Sequence, residues 1–163
     1  MRNWLAAAPI AAFTLLCLSL AASFASGAEA ELGYVSLRVA GANGRHGPGL
    51  DQRVDWIYQR AGLPLQVTGQ SGPWRRVRDP DGGEVWMHVQ NLDARRTFFA
   101  PPGREIVLRR APQASAQAVA RLAPGVVGAL TGCEGEWRRV SVGGRVGWAK
   151  QDALWGGEDC AGL

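Results

Sequence analysis

The chain has 163 residues, 47% hydrophobic and 20% charged, the balance of a chain that folds rather than one that stays disordered. Its formal net charge of +4 rests almost wholly on arginine, since Lys150 is the only lysine. No long basic run exists, so the charge is read as scattered surface arginine and nucleic acid is not an expected partner. Glycine is abundant at 22 residues and there are seven tryptophans; with short apolar runs, these point to an all-β architecture.

The first element is a leader. Met1-Arg2-Asn3 carries one positive charge, Trp4 to Phe24 carries none, and Leu15 to Leu20 is the most apolar stretch. Ser26-Gly27-Ala28 and Ala28-Glu29-Ala30 both fit a small-x-small cleavage site, so residues 1–28 read as a secretory signal peptide. An uncleaved anchor is the rival reading; the run of small residues at its end favours cleavage. The expected location is the periplasm or the medium, with no integral membrane segment left after cleavage. Loss of the leader removes Cys17 and leaves Cys133 and Cys160, an even pair that reads as one disulfide in an oxidising compartment. It would close a loop of about thirty residues, contributing about 3–4 kcal/mol in the chain-entropy model.

An internal repeat organises the rest. Trp74-Arg75-Arg76-Val77 returns as Trp137-Arg138-Arg139-Val140, and Gly62 returns as Gly125 at the same spacing. Gly82-Gly83-Glu84-Val85-Trp86 parallels Gly143-Gly144-Arg145-Val146-Gly147-Trp148, with one module carrying a residue more in this turn than the other. In the first copy, Val54 to Gln59 reads as a strand with Val54, Trp56 and Tyr58 on one face. Ala61 to Pro64 is a turn, Leu65 to Thr68 a strand, Gly69 to Pro73 a break, Trp74 to Arg78 a strand, Asp79 to Gly83 a turn and Glu84 to Val89 the returning strand. A short linker falls around Asp93 to Thr97. In the second copy the strands are Gln117–Leu122, Val126–Leu130, Trp137–Val142 and Arg145–Ala149, with a break at Gly132 to Gly135 and a two-residue hairpin at Gly143-Gly144. Trp137 and Val140 do not share a face by period two, which implies a bulge or an exposed Trp137. Short strands joined by tight turns favour two small closed barrels, at residues 34–94 and 97–155, followed by a tail at 156–163.

The opening Asn43-Gly44-Arg45-His46-Gly47-Pro48-Gly49 resembles the signature of the bacterial SH3 family, and the Trp-Arg-Arg-Val strand and the glycine hairpin resemble its later ones. The resemblance covers residues 34–155 as two copies. The first departs at Gly44, where the family carries an apolar residue; the second opens with Ile106 to Pro112 and lacks the paired glycines. The resemblance implies tandem SH3-like barrels and a binding role, with cell-wall peptide or peptidoglycan, another peptide, or a partner envelope protein as ligand.

Catalytic groups are scarce. His46 and His88 share no metal-ligand spacing with each other or with a cysteine, there is no phosphate loop and no Gly-x-Ser-x-Gly, and Asp79-Pro80-Asp81 reads as a turn. The expectation is a non-enzyme without cofactor or metal. Binding residues are sought in the first module: Asn43, Arg45 and His46 as polar contacts, with Trp56, Tyr58 and Trp74 as rings. The opposing reading is that a small barrel needs such rings in its core, and Trp86 and Trp148 are assigned there or to an edge. Alkylation of the exported protein before reduction should label no thiol and after reduction two; an unchanged count would remove the disulfide.

Overall fold

The computed structural model describes residues 33–163, so the leader lies outside the described residues. Two antiparallel sheets follow one another along the chain. The first contains β1 (Tyr34–Leu37), β2 (Ala42–Arg45), β3 (Val54–Tyr58), β4 (Pro64–Ser71), β5 (Trp74–Arg78), β6 (Glu84–His88) and β7 (Leu92–Asp93), in the order β3-β2-β6-β5-β4-β1-β7. The second contains β8 (Thr97–Phe99), β9 (Ile106–Arg109), β10 (Ala118–Leu122), β11 (Val127–Glu134), β12 (Trp137–Val142) and β13 (Arg145–Lys150), in the order β10-β9-β13-β12-β11-β8. A 3-10 turn follows the last long strand of each, at Val89–Asn91 and Gln151–Ala153. Among the described residues no helix is long and apolar enough to cross a membrane.

The repeat extends to the hydrogen-bond register. Val35 opposes Leu65 as Phe98 opposes Gly128, and Ser71 opposes Trp74 as Glu134 opposes Trp137. Each sheet folds round its own core: Leu37, Leu65, Val77 and Met87 in the first, Phe98, Ile106, Leu108 and Val140 in the second. Gly143 and Gly144 both have positive φ, which the two-residue hairpin between Val142 and Arg145 requires.

Several expectations are corrected. The breaks assigned at Gly69 and Gly132 are interior to strands; β4 runs on to Ser71 and β11 to Glu134. Each glycine instead follows a register shift, between Val67 and Gly69 and between Leu130 and Gly132. Gly69 lies opposite Arg76 and Gly132 opposite Arg139, and a Cβ on either glycine would meet the arginine Cβ at ordinary contact distance, 3.4 Å and 3.6 Å. The bulge that the Trp-Arg-Arg-Val pattern implied thus lies on the partner strand. The segment read as linker begins with the last residue of β7 and ends with the first of β8, strands too short for periodicity to reveal. Trp86 and Trp148 are half-buried on the outer faces of β6 and β13, because Val85 with Met87 and Gly147 with Ala149 take the inward positions.

The modules pack against each other and against the tail. Tyr34 meets Trp155 edge to face at 5.3 Å, and the Arg96 guanidinium lies 5.3 Å over the Tyr34 ring. Arg60 reaches the carbonyl of Gly125 across the joint. Two buried arginines hold the tail. Arg96 binds Asp159 Oδ1 at 2.7 Å and donates to the carbonyls of Gly156 and Ala161. Arg138 Nε donates to Gly157 O at 2.6 Å. The Cys133–Cys160 disulfide, Cα–Cα 6.2 Å, ties the tail to β11.

The two cores solve one steric problem in opposite ways. The register aligns Gly44 with Leu108 and Val85 with Gly147. A Cβ on Gly44 would lie 2.7 Å from Val85 Cγ2, and a Cβ on Gly147 would lie 2.9 Å from Leu108 Cβ. Each module therefore places one large side chain where β2 passes β6 or β9 passes β13. Gly44→Leu should destabilise by about 1–3 kcal/mol in urea unfolding, and adding Val85→Gly should recover much of the loss. Equal stability of the single variant and the unsubstituted protein would refute the account.

Candidate binding cleft

β3 is an edge strand of its sheet, and its register places the site. Arg45 opposes Val54 but Gly44 opposes Trp56, so Asp55 is an extra residue in β3. Directly opposed residues share a face. Trp56 and Tyr58 therefore share the inward side of Gly44 and Ala42, whereas Ile57 lies on the outward side with Asn43. The expected single face for Val54, Trp56 and Tyr58 holds only for the last two, because the bulge turns Val54 over.

The bare Cα of Gly44 lets the Tyr58 ring lie against it; a Cβ there would stand 2.9 Å from Tyr58 Cε2. From this position the phenol donates to Asp79 Oδ2 at 2.9 Å. Asp79 Oδ1 accepts from the amides of Gly83 at 2.8 Å and Asp81 at 3.0 Å, which fixes the turn. Between β3 and this turn lies a cleft of about 440 Å³, within the usual range for ligand sites. Trp56, Tyr58, Leu63, Asp79, Pro80 and Asp81 line it, and Phe99 of the second module closes one side. Trp56 is 64% exposed, a large ring left in solvent at the mouth. Burial of the Tyr58 ring, reinforced by its bond to Asp79 and by the charges of Asp79 and Asp81, pushes the phenol well above the usual tyrosine range.

The six residues singled out in the sequence do not form one site. Trp56 and Tyr58 line the cleft. Asn43 is half-buried on the outward face, opposite Ile57. Arg45 Nη1 donates to Gln52 O at 2.6 Å, bracing the 46–53 loop. His46 is exposed, 3.3 Å from Asp55, and borders a separate shallow groove with Arg76, Glu84 and Trp86. Trp74 is buried, edge-on to His88 at 5.2 Å. Sequence reasoning missed Asp79, Asp81, Leu63 and Phe99 as cleft residues. The extra residue in the Asp79–Gly83 turn was the available signal for the first two; nothing local marks Phe99, which belongs to the other module.

The second module has the same cleft with different chemistry. Ala120, Leu122, Val126 and Val142 stand where the first has Trp56, Tyr58, Leu63 and Asp79, and Arg121 and Arg145 replace Ile57 and Gly83. Both rings of β3 and the Asp79 carboxylate are thus gone, and two cations have entered.

The family model for the bacterial SH3 domain matches residues 38–94 and again 103–156. The chain belongs to the bacterial SH3 domain family. Its two copies of that domain are the two sheets described above, all-β and barrel-like. No curated protein matches the chain. Among solved structures it is similar to NlpC2 from Trichomonas vaginalis, at 15% identity and a TM-score of 0.34, over 75% of this chain and 47% of that one. NlpC1 from the same organism gives 16% identity and a TM-score of 0.34, over 86% and 50%. The chain spans about half the length of each.

The Tyr58 shift has a sign. A phenol whose pKa is raised on folding contributes stability that is complete below its unfolded value of 10.0 and is lost as pH climbs above it. Stability should therefore fall more steeply above pH 10 in the unsubstituted protein than in Tyr58→Phe. Parallel alkaline unfolding curves would show that Tyr58 is not the responsible group.

Proposed function

We propose that this bacterial SH3 protein is an exported, non-catalytic binding protein that engages a cell-wall peptide or peptidoglycan, or another peptide, through the first module's cleft. The observation that carries the reading is the exposed Trp56 beside Tyr58 in a preformed cleft whose counterpart in the second module has lost its rings. Core packing accounts for Trp74 but not for a ring with most of its surface in water. Export rests on the leader, and the non-catalytic reading on the chemistry that lines the cleft. Among the described residues no group of three His, Cys, Asp or Glu side chains is placed to hold a metal ion. The Tyr58 phenol, held protonated and bonded to Asp79, is a donor and a wall rather than a nucleophile.

A second reading has its own support. Val54 and Ile57 are exposed on the edge strand β3, at 37% and 54%, and Leu50 is exposed at 78% in the loop before it. An apolar sheet edge suits a module that packs on an envelope partner protein. Sedimentation with purified sacculi separates the readings. The unsubstituted protein should pellet with them at low salt, Trp56→Ala should pellet much less, and Arg121→Ala in the second cleft should pellet as the unsubstituted protein does. Failure of the unsubstituted protein to pellet at low salt would reject wall binding and leave the partner reading.

A further inference from the structure

The lining of the first cleft is electrostatically one-sided. Trp56, Tyr58 and Phe99 face the carboxylates of Asp79 and Asp81, and no lysine, arginine or histidine lines the space. This holds in a chain whose formal charge is +4. The turn explains Asp79, whose oxygens accept from two amides and the Tyr58 phenol. It does not explain Asp81, which lends the turn only its backbone amide; its exposed carboxylate makes no ion pair or hydrogen bond among the described residues. Nor does it explain Trp56, on whose exposed face no other ring of the described residues stacks.

Rings joined to carboxylates in a partly dry cleft recognise organic cations. The face of an indole attracts a positive charge, and nearby carboxylates add ordinary Coulomb attraction in a medium less polar than water. A bare metal ion would find only two carboxylates among carbon walls, a poor donor set. The second module is an internal contrast: at the matching positions Arg121 and Arg145 would repel a cation and no ring is present to receive one.

We infer that the first cleft binds the cationic side chain of a peptide, a primary ammonium or guanidinium, seated on the Trp56 face with its charge toward Asp79 and Asp81. This rests on the peptide-binding reading above and names the chemical group that the site selects. The aromatic surface holds the side chain's methylene stem, and the carboxylates hold its charged end. A peptide whose amine is blocked would keep the apolar contact and lose the rest.

The test uses the purified protein and two soluble probes, Nα-acetyl-lysine amide and its uncharged analogue Nα-acetyl-norleucine amide, followed through the tryptophan indole NMR signals. The lysine probe should saturate with shifts centred on one indole that is missing in Trp56→Ala. Asp81→Asn, an exposed substitution, should weaken the lysine probe about tenfold, and Arg121→Ala should not change it. Equal binding of both probes, no saturable binding of lysine amide, or indifference to Asp81→Asn would each overturn the inference. Sacculi in native form and after N-acetylation of their free amines separate this idea from the function it rests on. Sedimentation with native sacculi alone supports both. Equal sedimentation with both keeps the wall reading and removes the cation. Binding of lysine amide through Trp56 and Asp81 without sedimentation keeps the cation and removes the wall.

Discussion

Space is the governing constraint. A barrel this small has room for one side chain where its second and sixth strands cross, and the two modules fill that place from opposite sides. In the second, Leu108 enters from β9 and Gly147 yields. In the first, Val85 enters from β6 and Gly44 yields, and the surface bared at Gly44 is what Tyr58 covers. Once the ring lies there its hydroxyl meets Asp79, and Asp79 already holds the adjoining turn. The aromatic and acidic walls of the cleft therefore follow from which partner supplies the bulk at a single crossing. The departure of Gly44 from the family's apolar pattern, a blemish when read as sequence, is the condition for the site.

Much of the fold was legible because it is written twice. A match of Trp-Arg-Arg-Val and of the Gly62 and Gly125 turns at one spacing fixes strands and turns without reference to propensity, and the cross-strand register repeats with it. What the sequence hid was short or compensated. β1, β7 and β8 are two to four residues long and gain their pairing from distant strands. Gly69 and Gly132 carry the composition of a break, yet sit inside strands, each just after a shift in the ladder register. The site was legible at Trp56 and Tyr58, whose residue types suit both a core and a cleft. Asp79 and Asp81 were read as a turn, which they form while also facing the cleft. Arg45, in the family's opening motif, has its guanidinium turned to Gln52 O. Direction is a property of the folded backbone, and a motif names residue types without it.

The tail shows how a small protein manages buried charge. Arg96 and Arg138 are 5% and 3% exposed, and burial pulls the Arg138 guanidinium down from its ordinary range against the pull of Asp159. Carbonyls of the last residues accept from both, so the tail supplies hydrogen bonds without which two buried cations would be costlier still; Arg96 Nε alone is left without a partner among the described residues. The disulfide keeps those carbonyls within reach and adds its own constraint on the unfolded chain. Tail, disulfide and arginines are one device, and the Tyr34–Trp155 contact extends it to the first module.

Phe99 gives this joint a wider meaning. It belongs to the copy that has no ring at the positions of Trp56 and Tyr58, yet it forms a wall of the cleft in the copy that has them. The second barrel has become scaffolding for its sibling's mouth, so its sequence is free to drift wherever it does not touch that wall and restrained where it does. A change in either copy that tilts one against the other would therefore alter the shape of the cleft.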